Sequence, residues 1–347
     1  MVDGGHVVDR YTTSFGVRTI AFDKVKGFLL NGRAMKLHGV CNHADLGALG
    51  MAVNRRATER QLEILKGAGV NALRTSHNPP SPEVLEACDR LGIVVMDESF
   101  DMWRIPKVPN GYAKFFDEWS ERDVRDMVRR DRNHPSIIMY SIGNEIPEQG
   151  SKNGAKDAKR LVEFFHQEDP TRPTTSAFNN WSEAIENKLA DEVDLPGFNY
   201  KPMFYEKVLH DHPDWVILGT ETASTVSSRG VYHLPLEKYS KHPSLQVSGY
   251  DIIVPPWATP PDVEFAAQDR FPQVLGELCV DGLRLPGRTD SLLRGPRRQS
   301  GRLAGAQFLF RNGRPGGLPQ GSLLPLSIRV DEDTHGARAA ALELGGP

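Results

Sequence analysis

Short apolar runs alternate with amphipathic stretches from residue 35 to residue 280, and that rhythm constrains the fold more than any other feature of the chain. Residues 35–42 (MKLHGVCN) read as a buried strand, and 58–67 (TERQLEILKG) as a helix with Leu62, Ile64 and Leu65 facing inward. A second strand at 70–76 (VNALRTS) is followed by 82–90 (PEVLEACDR), which carries Pro at an early helical position and stops before Gly92. Strand 93–98 leads to helix 119–132, and strand 136–142 to helix 154–168. Shorter strands follow at 174–178, 194–200, 216–220 and 273–280. Strands alternating with helices predict a parallel sheet. Eight such strands over about 250 residues predict an α/β fold of the (β/α)8 TIM-barrel type. A doubly wound open sheet alternates in the same way, so the pattern alone does not separate the two.

Composition narrows the partners. The 347 residues carry a net charge of −3, with 39% hydrophobic and 25% charged residues, which gives no reason to expect nucleic acid or an anionic membrane. No apolar run approaches the roughly 20 residues that span a bilayer. The first residues lack the basic and apolar regions of a signal peptide. Three cysteines, Cys41, Cys88 and Cys279, have no metal-type or disulfide-framework spacing. The expected location is the reducing cytoplasm, or the periplasm if an export signal has been lost. Residues 12–22 (TTSFGVRTIAF) read as the last strand or two of a preceding β-domain, with Val25–Gly27 as the link.

Catalytic groups of such a barrel stand at the C-terminal ends of its strands. There the chain places His43 after strand one, Arg74, His77 and Asn78 after strand two, and Asp97 and Glu98 after strand three. Asn144 and Glu145 close strand four, Asn199 and Tyr200 strand six, and Glu221 strand seven. Two carboxylates facing each other across the mouth suit a retaining glycosidase, one attacking the anomeric carbon and the other protonating the leaving oxygen. Arg74 would keep the nucleophile ionised, while burial or a neighbouring negative charge would keep the acid protonated. Asn144 would bind the sugar 2-hydroxyl and Tyr200 the nucleophile; Trp103 and Trp257 are candidates for stacking on a sugar face. Each residue has a duller reading: an Asn-Glu pair is usually a helix cap, Asp97 and Glu98 buried paired carboxylates, His134 a structural histidine. Glu148 and Glu277 are further carboxylates near the rim.

Five stretches carry a specific resemblance: FLLNGRAMKLHGVCNHADLGALG (28–50), NALRTSHNPP (71–80), LGIVVMDESFDMW (91–103), RDRNHPSIIMYSIGNE (130–145) and LGTETAS (218–224). In this order they resemble glycoside hydrolase family 2, most closely its bacterial β-galactosidases. The resemblance implies Glu145 as acid/base and Glu221 as nucleophile. It implies sugar-contacting roles for His43, His77, Asn144 and Tyr200, and puts Arg74 near the nucleophile. It implies a small β-galactoside as substrate, no cofactor, and a homo-oligomer for the full-length family. Some family members hold magnesium through an acidic residue and a nearby His after strand three. Asp101-Met102-Trp103 stand there with no His, so no metal is expected.

The same resemblance divides the chain. Residues 1–27 are read as a remnant of an immunoglobulin-like β-sandwich domain with its linker, 28–280 as the barrel, and 281–347 as an atypical, disordered tail. After Glu277 the family continues Phe-Val-Trp-Thr-Gly-Phe-Asp-Tyr-Leu-Gly, whereas this chain runs from Leu278 to Gly287 without a match. Residues 281–347 hold ten Arg and no Lys, Tyr or Trp. Codons for Cys279–Gly287 exist that, read one base along, spell Val-Trp-Thr-Gly-Phe-Asp-Tyr-Leu. The expectation is a frameshift near residue 278 and a barrel incomplete at its eighth unit. The rival readings are β-glucuronidase and β-mannosidase of the same mechanism, and an inactive fragment that retains both glutamates. A glucuronidase would carry an Asn-x-Lys element late in the barrel; none is read in this sequence, unless the altered terminus hides it.

Overall fold

The computed structural model describes residues 2–3, 6–10, 12, 15–46, 49–224, 231–234, 248 and 254–280. A two-residue pair, β1 (Val2–Asp3) with β2 (His6–Val7), comes first. Then β3 (Ile20–Asp23), β4 (Gly27–Leu30) and β5 (Arg33–Met35) form an antiparallel three-stranded sheet. Eight parallel strands follow and close on themselves: β6 (Leu37–His43), β7 (Ala72–Ser76), β8 (Val94–Glu98), β9 (Ile137–Asn144), β10 (Thr174–Phe178), β11 (Leu195–Asn199), β12 (Ile217–Thr222) and β13 (Val274–Val280). The chain is therefore a (β/α)8 barrel and not an open doubly wound sheet.

Closure is made where β13 pairs with β6, in register from Gly276 opposite Leu37 to Val280 opposite Cys41. The seam is tight: a Cβ on Gly276 would stand 2.1 Å from the Leu37 carbonyl oxygen, and its φ of 142° is one that side chains rarely adopt. The eighth strand is thus complete through Val280. The incompleteness expected of the eighth unit, and the altered tail at 281–347, lie outside the described residues.

The helices follow their capping signals. In α1 (Arg55–Gly67) the Asn54 side chain accepts the Ala57 N–H at 3.0 Å, and Thr58, Leu62 and Leu65 lie buried along one face. Then α2 (Pro82–Leu91) starts on Pro and ends on Gly92 in the left-handed conformation, φ 65°. Longer helices α3 (Phe116–Asp131) and α4 (Gly154–Glu168) cover the next two strands. The later helices α5 (Trp181–Glu186), α6 (Tyr205–Asp211) and α7 (Pro261–Asp269) are shorter.

One apolar core fills the layer between strands and helices, with Leu62, Leu73, Val95, Phe116, Ile142 and Phe165 among its fully buried members. A second lies inside the barrel toward its floor, where Leu37, Val94, Ile138, Leu218 and Leu278 meet Phe28. Ile20, Phe22, Leu30 and Met35 of the small sheet pack against this second core. Residues 25–27, expected to be a link between domains, are instead the turn of the β3–β4 hairpin. The Asp23 carboxylate accepts the N–H groups of Val25 and Lys26 at 2.7 and 2.8 Å, and Gly27 takes a φ of 75°. The apolar pairing of Phe22 with Phe28 draws the strands together across the expected boundary and seats them on the barrel floor.

Candidate active site

The C-terminal strand ends bring together nine of the residues that the sequence places there: His43, Arg74, His77, Glu98, Asn144, Glu145, Asn199, Tyr200 and Glu221. Arg74, on β7, is fully buried and is the hub. Its Nε and Nη2 donate to Glu98 Oε2 at 2.9 and 2.7 Å. Its Nη1 donates to the Thr220 carbonyl at 2.8 Å and to Glu221 Oε2 at 3.2 Å, and Nη2 also reaches Asn144 Oδ1 at 2.8 Å. With every edge of the guanidinium committed, the cation cannot swing away from Glu221.

Glu98 is the counter-ion beneath this hub. Burial alone would raise its carboxyl, but the Arg74 charge and the His77 and Ser141 hydrogen bonds overcome that and hold it at about 2. It is the buried, paired carboxylate of the duller reading. His77 Nδ1 lies 2.8 Å from Glu98 Oε1; with its proton on Nδ1, the ring presents Nε2 to His43 Nε2 at 3.3 Å and to Glu221 Oε2 at 3.8 Å.

The two candidate catalytic carboxylates share one donor. Asn199 Nδ2 lies 3.0 Å from Glu145 Oε1 and 3.2 Å from Glu221 Oε2, while its Oδ1 accepts the Thr220 hydroxyl at 2.7 Å. Those two carboxylate oxygens are therefore no more than about 6 Å apart, which is compatible with the roughly 5–5.5 Å of a retaining pair. Tyr200 Oη donates to Glu221 Oε1 at 2.5 Å, and burial followed by the Glu221 charge pushes its phenol well above its usual range, which keeps it a donor. Burial, and after it the Glu221 charge, also raises the Glu145 carboxyl. Both Glu145 and Tyr200 sit in the left-handed region, with φ of 43° and 58°. Their backbone N–H groups bond across to the Ala177 and Glu221 carbonyls at 2.7 Å each, so the barrel holds a conformation that non-glycine residues adopt at a cost.

Of the two tryptophans, Trp103 departs from the sequence reading. Trp103 is fully buried, donates Nε1–H to the Ile142 carbonyl at 2.7 Å and lies against Phe116 in the core. No sugar face can reach it; its large apolar ring is better satisfied between β9 and α3. Trp257 is 41% exposed, on a loop whose Val254 and Ala258 pack against Tyr200. Glu148 is buried and accepts the Ile105 N–H at 2.7 Å, and Glu277 is buried beside Thr222.

Sequence reasoning missed three groups. Asn199 was noted only as a strand end. Asp101 and Lys107 lie on the loop after β8: Lys107 Nζ is 2.9 Å from Asp101 Oδ1, which also accepts Asn144 Nδ2 at 3.1 Å. At this place some family members hold magnesium. Here the acidic residue is already taken by an ammonium, and the donor set does not fit a divalent ion. The pattern Asn-x-Lys is spelled by Asn199-Tyr200-Lys201, but Asn199 is engaged with both glutamates, and Lys201 lies within electrostatic range of Glu145.

A closed parallel barrel with paired carboxylates at the ends of its fourth and seventh strands defines the glycoside-hydrolase class of TIM barrels. The profile of glycosyl hydrolases family 2, TIM barrel domain, matches residues 21–250, and the chain belongs to that family. It is 44% identical over 262 residues to "Beta-galactosidase BoGH2A" of Bacteroides ovatus, a match covering 67% of this chain and 31% of that protein. It is 37% identical over 233 residues to a "Putative beta-glucuronidase" of Formosa agariphila, covering 67% of this chain and 21% of that one. The solved structure of a glycosyl hydrolase family 2 member from Bacteroides cellulosilyticus superposes with a TM-score of 0.65 at 38% identity, covering 80% of this chain and 32% of that one. The chain thus spans about a third or less of the length of these relatives.

Proposed function

We propose that this chain is the catalytic barrel of a retaining glycosidase that removes terminal β-D-galactosyl groups, with Glu145 as acid/base and Glu221 as nucleophile. The observation that carries the reading is the single Asn199 amide reaching both carboxylates, a closeness that fits the direct displacement of a retaining pair. Glu221, paired with the Arg74 guanidinium at 3.2 Å, attacks the anomeric carbon. Glu145 gives its proton to the glycosidic oxygen, the aglycone leaves, and a glycosyl ester on Glu221 remains. Esterification removes the Glu221 charge that had helped to raise Glu145. The acid's pKa then falls, and Glu145 deprotonates the water that attacks the anomeric carbon and frees Glu221.

The galactoside assignment is supported by the Bacteroides ovatus relative. A glucuronide reading is favoured by the Formosa agariphila relative and by Lys201 near Glu145. The test is hydrolysis of p-nitrophenyl β-galactoside beside the β-glucuronide and β-mannoside, by the chain and by Glu221→Gln. Galactoside turnover that disappears in Glu221→Gln is expected. Preference for the glucuronide would replace the sugar assignment, and a folded chain that binds sugar without turnover would sink the catalytic one.

A further inference from the structure

The loop after β8 delivers a cation to the peptide that carries the acid. Lys107 Nζ donates to the carbonyl oxygen of Asn144 at 2.7 Å and to Asp101 Oδ1 at 2.9 Å, with its side chain 22% exposed. Asp101 Oδ1 in turn accepts Asn144 Nδ2, so the ammonium, the carboxylate and Asn144 form one closed ring. The Asn144 carbonyl belongs to the peptide bond that leads into Glu145, whose backbone is held left-handed. We propose that Lys107 is a positioning residue for the acid/base. Its ammonium is a built-in cation that fixes the Asn144–Glu145 peptide and sets the electrostatic potential at the Glu145 carboxyl, at a place where a divalent ion does not fit.

The inference rests on the reading of Glu145 as the acid. The charged and titratable groups facing Glu145 are Glu221 from β12, His77 after β7, Tyr200 and Lys201 after β11, and Lys107 from the β8 loop. Burial and Glu221 favour the neutral acid; Lys107 opposes them. Taking away the ammonium leaves the raising influences less opposed, and the Glu145 carboxyl then titrates at higher pH. A Gln at this position keeps donors for Asp101 and Asn144 but no charge, whereas Arg keeps the charge.

The experiment compares the wild type, Lys107→Gln and Lys107→Arg in two ways. One is the pH profile of kcat/KM on methyl β-galactoside, whose poor leaving group needs the proton. The other is the carboxyl-carbon NMR titration of Glu145, assigned by its loss in Glu145→Gln. Lys107→Gln is expected to move the basic limb and the NMR titration upward together, with Lys107→Arg overlaying the wild type. A Glu145 titration unmoved in folded Lys107→Gln overturns the proposal, because a purely structural role would lower rates without shifting it. The NMR arm does not depend on turnover, so it decides the electrostatic claim even if the sugar assignment fails. Full turnover by Glu145→Gln would instead overturn the acid assignment, and the positioning role with it.

Discussion

Replacing Asn199 by Ala takes away in one step the donor to Glu145 and Glu221 and leaves the Thr220 hydroxyl without its acceptor. The expected result is a fall in kcat on the order of 100-fold with a smaller change in KM, measured by steady-state kinetics, since the loss is of preorganised geometry around the reacting groups. The sequence marks this Asn only as a strand end, because its role depends on Glu145 after β9 and Glu221 on β12 reaching it together. The opposite case is Trp103: a Trp beside strand-three acids suggests a sugar platform, and only its burial against Phe116 shows a core residue. A third residue concerns stability. Glu264, buried on α7, has its carboxyl pushed from its ordinary 4.5 up to about 7 by burial, against the opposing Thr259 hydroxyl bond. The folded state then holds that proton more tightly than the unfolded one. Stability is full below pH 4.5, declines as pH rises to about 7, and stays reduced above it. Glu264→Gln should therefore match the wild type at pH 4 and exceed it by about 3 kcal/mol at pH 8 in urea unfolding. A gain that is equal at both pH values would refute the titration as its cause.

At the scale of elements, a single methyl group on Gly276 of β13 would meet the Leu37 backbone of β6 across the seam that closes the barrel. Gly276→Ala should cost on the order of 3 kcal/mol or more, read as a lower urea midpoint, because both the φ and the Leu37 carbonyl oppose the Cβ. The strands were legible in the sequence as unbroken apolar runs, since parallel barrel strands are covered on both faces. The first four helices were legible too, each long enough to show a stripe or caps. By contrast, α5 and α6 span six and seven residues, under two turns, so no period could announce them. The expected domain boundary failed for a related reason. A tight turn and a linker have the same polar composition, and only the pairing of β3 with β4 tells them apart.

Taken whole, the molecule separates what holds it together from what it does. Phe28 lies on the floor, 1% exposed, between the small sheet and the barrel interior, while the glutamates stand at the other end of the strands. Phe28→Ala should lower unfolding stability by about 3–5 kcal/mol and leave KM unchanged below the new transition. A large KM change would show that floor and mouth are coupled. The mouth itself divides again. Its reacting groups hang from strand ends, Glu221 tied to Arg74 and both glutamates to Asn199, whereas Asp101, Lys107 and Trp257 come from loops. Loops tolerate insertion and exchange far better than barrel strands do. The consequence is evolutionary: a lineage can rewrite which sugar it admits by trading loops, without reopening the question of how the bond is cut. Relatives named for different sugars can then share one fixed hydrolytic centre, and sugar preference becomes the most quickly changing trait of an otherwise conservative machine.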